Sequence, residues 1–264
     1  MTFKLILKKF DQKFLLGFLK KFYVLFQFFK KNYLHKKFLK RIENKTELKN
    51  ISFLNNYKVN TLSKLCEYYG SDKGYLDFDK SANSLLKPHT YTNIYFNLFD
   101  HCKESVNLVF ECGIGSINPE ISCNMTPEGR PGASLKVWKD FFKNAEIFGA
   151  DIDKNILFSE ERIKTFFVDQ LDKSSIQAMW KLIGRKDFDI IIDDGLHTLE
   201  AGENFFLESF KFLKSGGIYI IEDVSNEYFE KLFDKLKKFE PEGIILFDKK
   251  NFWYGNNLII VRKK

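Results

Sequence analysis

The order of apolar segments after residue 106 restricts the possible fold more than any other feature of this sequence. Apolar runs of strand length predict strands at 107–112, 146–152, 162–169, 188–194, 216–224, 243–248 and 256–263. Helical spacing predicts helices at 133–142 and 174–183, with two more that end near residues 213 and 239. The expected order is β-α-β-α-β-α-β-α-β-α-β-β, with a helix between the second and third strands. Such alternation predicts a parallel, doubly wound sheet, and the last two strands, with no helix between them, predict an antiparallel hairpin at its edge.

Charge and pattern divide the chain into three segments. Residues 1–50 carry 14 lysines and arginines against 3 acids, a net charge of +11, and predict a basic amphipathic helical extension. Residues 51–105 predict short helices that form a lead-in or lid for the next segment. Residues 106–264 contain the α/β pattern and form the main domain. Because the chain after residue 50 carries a net charge of −4, we expect no nucleic-acid partner.

The basic segment leaves two interpretations open. Its longest apolar run, Phe22–Phe29, is far shorter than the roughly 20 residues that a membrane-spanning helix needs. A small-residue cleavage site of the kind that follows a signal peptide is not visible. The segment is therefore either an amphipathic helix on an anionic membrane surface or a partner protein, or a solvated helix that caps the domain. Four cysteines without C-x-x-C spacing are typical of reduced thiols in a cytoplasmic protein.

A glycine motif follows the first strand of the main domain, in Glu111-Cys112-Gly113-Ile114-Gly115. Glycine lets a ligand approach the backbone closely, and open α/β sheets bind ligands at the carboxyl ends of their strands. Asn118 stands where a dinucleotide fingerprint has its third glycine, and the loop 116–132 is long. Both features favour a ligand without a pyrophosphate, with a plain tight turn as the alternative.

Acidic residues at the ends of the next two strands suit a nucleoside. Asp151, which ends the second strand, is placed to accept hydrogen bonds from both ribose hydroxyls. The alternative is a helix N-cap, a role that Asp153 could also fill. Asp169 and Gln170, after the third strand, are placed to line an adenine.

A cluster of acids follows the fourth and fifth strands of the main domain. Asp193-Asp194-Gly195-Leu196-His197 ends one strand, and Glu222-Asp223 ends the next. Carboxylates that meet at one edge of a sheet can hold a hard divalent cation such as Mg²⁺. Histidine titrates near neutrality, so His197 could take a proton from a substrate hydroxyl. A structural histidine and capping acids are the alternative.

Taken together, these motifs resemble the class I S-adenosylmethionine-dependent methyltransferases related to the metal-dependent macrolide-sugar O-methyltransferases, the mycinamicin and macrocin enzymes. The resemblance covers residues 60–264. It rests on SDKG (71–74), HTYTNIY (89–95), FECGIG (110–115), GASLKVWKDFFKNAEIFGADID (132–153), FDIIIDDGLHT (188–198) and LKSGGIYIIEDV (213–224). It implies a Rossmann-like sheet of seven strands whose antiparallel terminal hairpin is the topological mark of the class, with an N-terminal helical extension outside the resemblance.

The resemblance also implies roles for individual residues. In that family a divalent cation, usually magnesium, holds a sugar diol beside the sulfonium methyl group. Asp194 and Asp223 then correspond to metal ligands, with Asp193, Glu222 and Glu111 as further candidates. His197 corresponds to the general base and acts with Asp194 in catalysis. The implied cofactor site consists of Glu111, Gly113, Gly115, Ser134, Asp151, Asp169 and Gln170, over which Asp72, Lys73, His89, Tyr91 and Thr92 close at the methionine end.

The function expected from these features is Mg²⁺-assisted methylation of a sugar or sugar-nucleotide hydroxyl, with S-adenosylmethionine as donor. The basic segment fits a cytoplasmic protein at the inner face of a bacterial membrane, where capsule or lipooligosaccharide precursors are assembled. An NAD-dependent sugar dehydrogenase or epimerase is the first alternative, and a non-catalytic, membrane-tethered scaffold is the second. The oligomeric state is open, with a homo-oligomer among the alternatives.

Overall fold

The computed structural model describes residues 33, 36–40, 51–54, 57–77, 89–246 and 257–264. The chain divides into two compact units, residues 1–49 and residues 50–264. In the first unit, residues 36–40 are helical, and the rest of the predicted basic helix lies outside the described residues, apart from the helical Tyr33. In the described part of the chain, no helix has the length and apolar character needed to cross a membrane.

The second unit contains nine strands and six α-helices within the described residues. The strands are β1 (Ile51–Leu54), β2 (Leu108–Cys112), β3 (Glu146–Asp151), β4 (Ser159–Glu160), β5 (Ile163–Phe167), β6 (Phe188–Asp193), β7 (Leu213–Val224), β8 (Glu242–Leu246) and β9 (Asn257–Arg262). The helices are α1 (Thr61–Tyr69), α2 (Thr92–Phe99), α3 (Ala133–Phe141), α4 (Lys173–Ile183), α5 (Leu199–Ser209) and α6 (Phe229–Lys235).

All nine strands form one sheet, in the order β1-β8-β9-β7-β6-β2-β3-β5-β4. The pairs between β7, β6, β2, β3 and β5 are parallel, whereas β9 is antiparallel to both β7 and β8. The doubly wound sheet with an antiparallel terminal pair is therefore confirmed, and its seven central strands are the seven predicted from the sequence. Parallel strands place their carboxyl ends at one edge, which is where the ligand-binding side chains were expected.

Two parts of the predicted element order are wrong. The segment predicted as short helices begins with strand β1, which extends the sheet parallel to β8. The helix expected between β3 and β5 is absent: the eleven residues there form a 3₁₀ turn, Lys154–Ile156, and the two-residue strand β4. A crossover of that length is close to the shortest that can hold an α-helix with its two loops. The Asp153 side chain also accepts a hydrogen bond from the Asn155 N–H, which caps the short turn.

The two faces of the sheet bury different sets of side chains. One face presents aliphatic residues such as Val109, Ile192 and Ile220 to the cluster formed by α1, α2 and α3. On the other face Phe110 packs against Trp180 and Phe205, with ring centroids 4.8 and 5.9 Å apart. Because successive residues of a strand point to opposite faces, these rows also determine which way each acid at a strand end points.

Candidate functional site

A cavity of about 750 Å³ lies at the carboxyl edge of the sheet. It is bounded by the ends of β2, β3, β5, β6 and β7, by residues 71–73, and by the long loop that precedes α3. Its volume is within the range of pockets that enclose small-molecule ligands and cofactors.

The glycine turn after β2 forms the floor of the cavity. Gly113 and Gly115 have backbone φ angles of +84° and +89°, a region that favours glycine. A Cβ atom on Gly113 would lie 1.9 Å from the carbonyl oxygen of Asp194, and one on Gly115 would lie 2.3 Å from the sulfur of Met125. The glycines therefore let the turn pass close to β6 and the long loop, in addition to leaving the floor open.

Asp151 is fixed by the backbone at the end of β3. Its Oδ2 accepts the Ile114 N–H at 2.8 Å, and its Oδ1 accepts the Asp153 N–H at 3.0 Å. These bonds tie the acid to the glycine turn while it still lines the cavity at 7% exposure. Burial raises the pKa of Asp151. A carboxylate oxygen has a second lone pair, so both oxygens remain able to accept a ligand hydroxyl.

Asp169 and Gln170 lie side by side in the cavity wall but differ in availability. One oxygen of Asp169 accepts the Leu171 N–H at 2.9 Å. Both ends of the Gln170 amide are engaged inside the protein, its nitrogen with Asp193 at 2.6 Å and its oxygen with the Leu196 N–H at 2.7 Å. The Gln170 side chain thus links the ends of β5 and β6, whereas the Asp169 carboxylate faces the cavity.

Apolar side chains flank these residues. Ile152 and Leu171 line the cavity and are 47% and 48% exposed, which is high for aliphatic residues of this size. A flat aromatic ligand would cover both, and the removal of that surface from water would favour its binding.

Asp194, His197 and Asp223 form a compact polar cluster in another part of the cavity wall. His197 Nε2 lies 3.9 Å from Asp194 Oδ1 and 3.8 Å from Asp223 Oδ2. One nitrogen or oxygen of each residue lies within 4.8 Å of those of the other two, so the three could hold a metal ion together. Two carboxylates and an imidazole suit a divalent cation such as Mg²⁺ or Mn²⁺.

Backbone strain contributes to this cluster. His197 and Asp223 have φ angles of +54° and +51°, where residues other than glycine are uncommon. At Asp223 the pairing of β7 with β9 also shifts register, between Ile221 and Val224. The left-handed backbone at Asp223 and this register shift change the direction of the end of β7. As a result, the Asp223 carboxylate faces His197. Strained residues of this kind concentrate at functional sites.

A second set of charges lies behind the first, around the ammonium group of Lys73. Its Nζ is 2.7 Å from Asp194 Oδ2, 2.5 Å from Glu222 Oε2 and 3.2 Å from Glu111 Oε1. Lys73 is only 2% exposed, and Glu111 and Glu222 are 0% and 1% exposed. Burial lowers the pKa of Lys73, but the three carboxylates outweigh it, so the pKa lies well above its ordinary value. Lys73 is therefore a permanent cation.

Aromatic donors complete the bonding of the buried acids. Trp138 of α3 donates its indole N–H to Glu111 at 2.5 Å, and Tyr95 of α2 donates its hydroxyl to Glu222. Tyr91, one helical turn before Tyr95, donates to Asp223. Burial, together with the neighbouring carboxylates, raises the pKa of both tyrosines well above its ordinary value, so both act as neutral donors.

His89 and Asp72 lie at the same wall. His89 stacks on Tyr91, with ring centroids 4.8 Å apart, and its Nδ1 lies 3.5 Å from Asp223 Oδ1. Its Nε2 lies 3.8 Å from Asp72 Oδ2. Both residues line the cavity, so the segment expected to close over a cofactor does face it.

The structure separates the predicted site residues into two groups. Those that line the cavity are Asp72, Lys73, His89, Gly113, Gly115, Ser134, Asp151, Asp169, Gln170, Asp194, His197, Glu222 and Asp223. Glu111, Tyr91, Thr92 and Asp193 lie behind the lining. Thr92 hydrogen-bonds with Tyr57 and Ser63, at 3.0 and 3.2 Å, and supports the helices instead.

Asp193 points away from the Asp194–His197–Asp223 cluster. One of its oxygens accepts the Gln170 amide, and the other, beside Gly202 of α5, has no hydrogen-bond partner in the described part of the chain. Burial raises the pKa of Asp193 to about 6.

Several residues at the site were not predicted. Tyr95, Trp138, Cys123, Met125 and Arg130 contact its acids or line its wall. Tyrosines at positions 91 and 95, four residues apart on one helical face, are a signal that could have identified the first. The loop residues carry no periodic pattern, and no comparable signal marks them.

The topology and the site at the carboxyl edge define a class: this is the class I methyltransferase fold. MycE methyltransferase from the mycinamycin biosynthetic pathway, solved in complex with Mg and SAH, matches with a TM-score of 0.56 at 24% identity, over 79% of this chain and 56% of that chain. Its complex with Mg, SAH and mycinamycin VI matches with a TM-score of 0.55, at the same identity and coverage.

Comparison with curated sequences confirms the resemblance to the sugar O-methyltransferases. Demethylmacrocin O-methyltransferase of Streptomyces fradiae is 34% identical over 158 residues, 58% of this chain and 37% of that protein. Mycinamicin VI 2″-O-methyltransferase of Micromonospora griseorubida is 33% identical over 141 residues, 53% of this chain and 33% of that protein. The 8-demethyl-8-alpha-L-rhamnosyl tetracenomycin-C 2′-O-methyltransferase of Streptomyces olivaceus is 31% identical over 140 residues, 53% of this chain and 34% of that protein. The match spans about a third of each relative's length, and no protein-family model matches the chain.

The pKa of Asp193 gives a prediction about stability. Its folded value of about 6 exceeds the roughly 3.9 of an unfolded aspartate, so the folded state holds its proton to higher pH. Asp193 therefore lowers the free energy of unfolding as pH rises from about 4 to about 6. Asp193→Asn removes this effect, and its stability relative to wild type should rise over that window by up to about 3 kcal/mol.

Urea denaturation of metal-free protein between pH 4 and pH 7 measures this difference. Asp234→Asn, on the exposed side of α6, is the matched control for the loss of one carboxylate. A constant difference between Asp193→Asn and wild type across the window would contradict the prediction.

Proposed function

We propose that the chain is an S-adenosylmethionine-dependent, Mg²⁺-assisted O-methyltransferase that acts on a sugar hydroxyl. The observation that carries the proposal is one cavity with two kinds of wall. The nucleoside-type wall contains Asp151, Asp169 and the glycine turn, and the cation-type wall contains Asp194, His197 and Asp223. The names of the curated relatives, which are sugar O-methyltransferases, support the same reaction.

The first wall fits an adenosyl group. Asp151 offers carboxylate oxygens for a ribose diol, and the exposed faces of Ile152 and Leu171 offer apolar surface for an adenine. The glycine turn leaves the floor free of Cβ atoms where the methionine part would cross it. Ser71 and Ser134 line the cavity and offer hydroxyl groups there.

The second wall fits a divalent cation. Asp194 Oδ1 and Asp223 Oδ2 would hold it, and Tyr91 donates a hydrogen bond to Asp223 from behind, where His89 also lies. A bound Mg²⁺ would supply Lewis-acid chemistry, fixing adjacent sugar hydroxyls and lowering their pKa. The protein itself must then align one acceptor oxygen with the methyl group of the donor and remove the proton from that oxygen.

His197 is the residue we assign to that proton. It lies within 4 Å of both carboxylates and faces the cavity, so an acceptor hydroxyl held there would lie within its reach. The two carboxylates also stabilise the imidazolium that forms when the proton arrives.

The charge of the lining favours a neutral acceptor. Its carboxylates are Asp72, Glu120, Asp151, Asp169, Asp194, Glu222 and Asp223, against the permanent cations Lys73 and Arg130 among the described residues. Lys73 is already paired with acids. The seven carboxylates exceed the positive charges even when a bound Mg²⁺ is counted, so a uronate or a sugar diphosphate inside the cavity would be disfavoured. We therefore propose a neutral sugar with adjacent hydroxyls, in a surface-glycan precursor.

The first prediction from this proposed function concerns cofactor binding. The chain should bind S-adenosylhomocysteine with micromolar affinity and should not bind NAD, because the floor lacks a third glycine for a pyrophosphate. Calorimetric titration with each ligand, with and without Mg²⁺, measures this. Binding of NAD instead would favour a dehydrogenase, and binding of neither ligand would favour a non-catalytic role.

Loss of the proposed base is the second prediction. His197→Ala should lower turnover by roughly 10²–10⁴-fold, the usual range for general base catalysis. Its affinity for S-adenosylhomocysteine should stay within about threefold of wild type, since His197 lies on the cation-type wall. Methyl transfer to neutral glycosides with adjacent hydroxyls is the assay, and His101→Ala, at an exposed position, is the control. Near wild-type turnover in His197→Ala would remove the assigned role.

We also propose that the basic residues 1–50 bring the protein to the cytoplasmic face of a membrane. Their net charge of +11 supports attraction to anionic lipids, at about 1 kcal/mol for each cation near the surface. The apolar run Phe22–Phe29 between lysine pairs supports an interfacial helix.

Vesicle binding tests this proposal on the full chain. Sedimentation with phosphatidylglycerol vesicles should capture the protein at low salt and release it at high salt, and vesicles of phosphatidylcholine should not bind it. Replacement of Lys20, Lys21, Lys30 and Lys31 by glutamate should abolish capture by the vesicles without changing affinity for S-adenosylhomocysteine. Equal capture of this variant and wild type would count against a membrane role for the segment.

A further inference from the structure

Within the described residues, the buried ammonium group of Lys73 pairs only with acids of the protein itself. Its Nζ lies 2.5–3.2 Å from oxygens of Asp194, Glu222 and Glu111, and its side chain is 2% exposed. A carboxylate of a bound ligand would have to displace one of these acids to reach it. The ammonium group is therefore directed at the protein's own acids.

The backbone holds Lys73 in this position. The Thr92 N–H of α2 donates to the Lys73 carbonyl at 3.2 Å, and the His89 N–H donates to the Asp72 carbonyl at 2.5 Å. These two hydrogen bonds therefore fix the link between α1 and α2 at the peptide groups before and after Lys73.

The second oxygens of the three acids differ in direction. Glu111 Oε2 accepts Trp138, and Glu222 Oε1 accepts Tyr95, so both face the protein interior. Asp194 Oδ1 alone faces His197, at 3.9 Å, and belongs to the cluster that could hold a metal. With Oδ2 bound to Lys73, the carboxylate of Asp194 has one orientation, and in that orientation Oδ1 points to the cation-type wall.

We infer that Lys73 is a positioning residue for the cation site: its ammonium group fixes Asp194 so that one oxygen faces His197 and Asp223. This inference rests on the proposed function, because it concerns the divalent cation assigned to that wall. Without the ammonium group, Asp194 and Glu222 would repel each other at adjacent strand ends, and the Asp194 carboxylate would turn away from this orientation. Residues that orient metal ligands from behind typically contribute 10–100-fold in affinity.

The test is Mn²⁺ binding, measured by electron paramagnetic resonance and calorimetry, in Lys73→Met. Methionine keeps the unbranched apolar stem of the side chain and removes the ammonium group. We expect Mn²⁺ affinity to fall at least tenfold. Lys214→Met is the matched control, since Lys214 pairs with Asp189 at the opposite end of β7, and it should keep wild-type Mn²⁺ affinity.

Asp223→Asn separates this inference from the proposed cation site. If wild type binds Mn²⁺, Asp223→Asn does not, and Lys73→Met binds as wild type does or more tightly, then only the role of Lys73 is overturned. If wild type binds no Mn²⁺, or Asp223→Asn binds it equally well, the cation site and the inference fall together. If Lys73→Met does not fold, Lys73→Arg keeps the charge and displaces the donor from Asp194. Weaker Mn²⁺ binding in that variant supports positioning, and unchanged binding overturns it.

Discussion

The ion cluster around Lys73 is the interaction on which the rest of the site depends. Strands β2, β6 and β7 each end near an acid, and the three carboxylates meet below the cavity. Buried carboxylates without a partner are costly, and removal of one partner from such a cluster typically costs about 3–5 kcal/mol. Lys73 supplies that partner from the link between α1 and α2. The helical lead-in is thereby a structural part of the sheet edge, because the acids of the sheet require its charge.

The direction of each acid follows from the two-residue period of a strand. Glu111, Asp194 and Glu222 continue the rows of Val109, Ile192 and Ile220, which face α1, α2 and α3. Asp193 has the opposite parity and points to α5, where Gly202 leaves space for it. The sequence contained this information, since the rows are visible in the apolar pattern. Naming Asp193 as a further metal candidate beside Asp194 did not use it, although the seven central strands themselves were predicted correctly.

Other features depend on contacts between distant segments and could not be predicted. By parity Asp223 should follow Asp193 and point to the other face, but a left-handed residue and a register shift direct it to His197. Strand β1 forms because β8 offers it an open edge, and nothing in its own four residues distinguishes it from a short helix. The 3₁₀ turn after β3 is a different case, because the short connection there could have indicated it from the sequence.

The contact between β2 and β6 links the two walls of the cavity. The Asp194 N–H donates to the Cys112 carbonyl at 2.8 Å, and the adjoining Gly113 leaves no space for a Cβ atom against the Asp194 carbonyl. The turn proposed to carry the methyl donor and the acid proposed to hold the acceptor's cation are thus separated by one backbone contact. An in-line displacement needs its reacting atoms about 3–3.5 Å apart, and small displacements are costly. Because paired strands deform less than loops, the sheet itself would set the distance between the proposed donor and acceptor. The long loop before α3 lies outside this strand contact, so a change in the loop would leave that distance undisturbed.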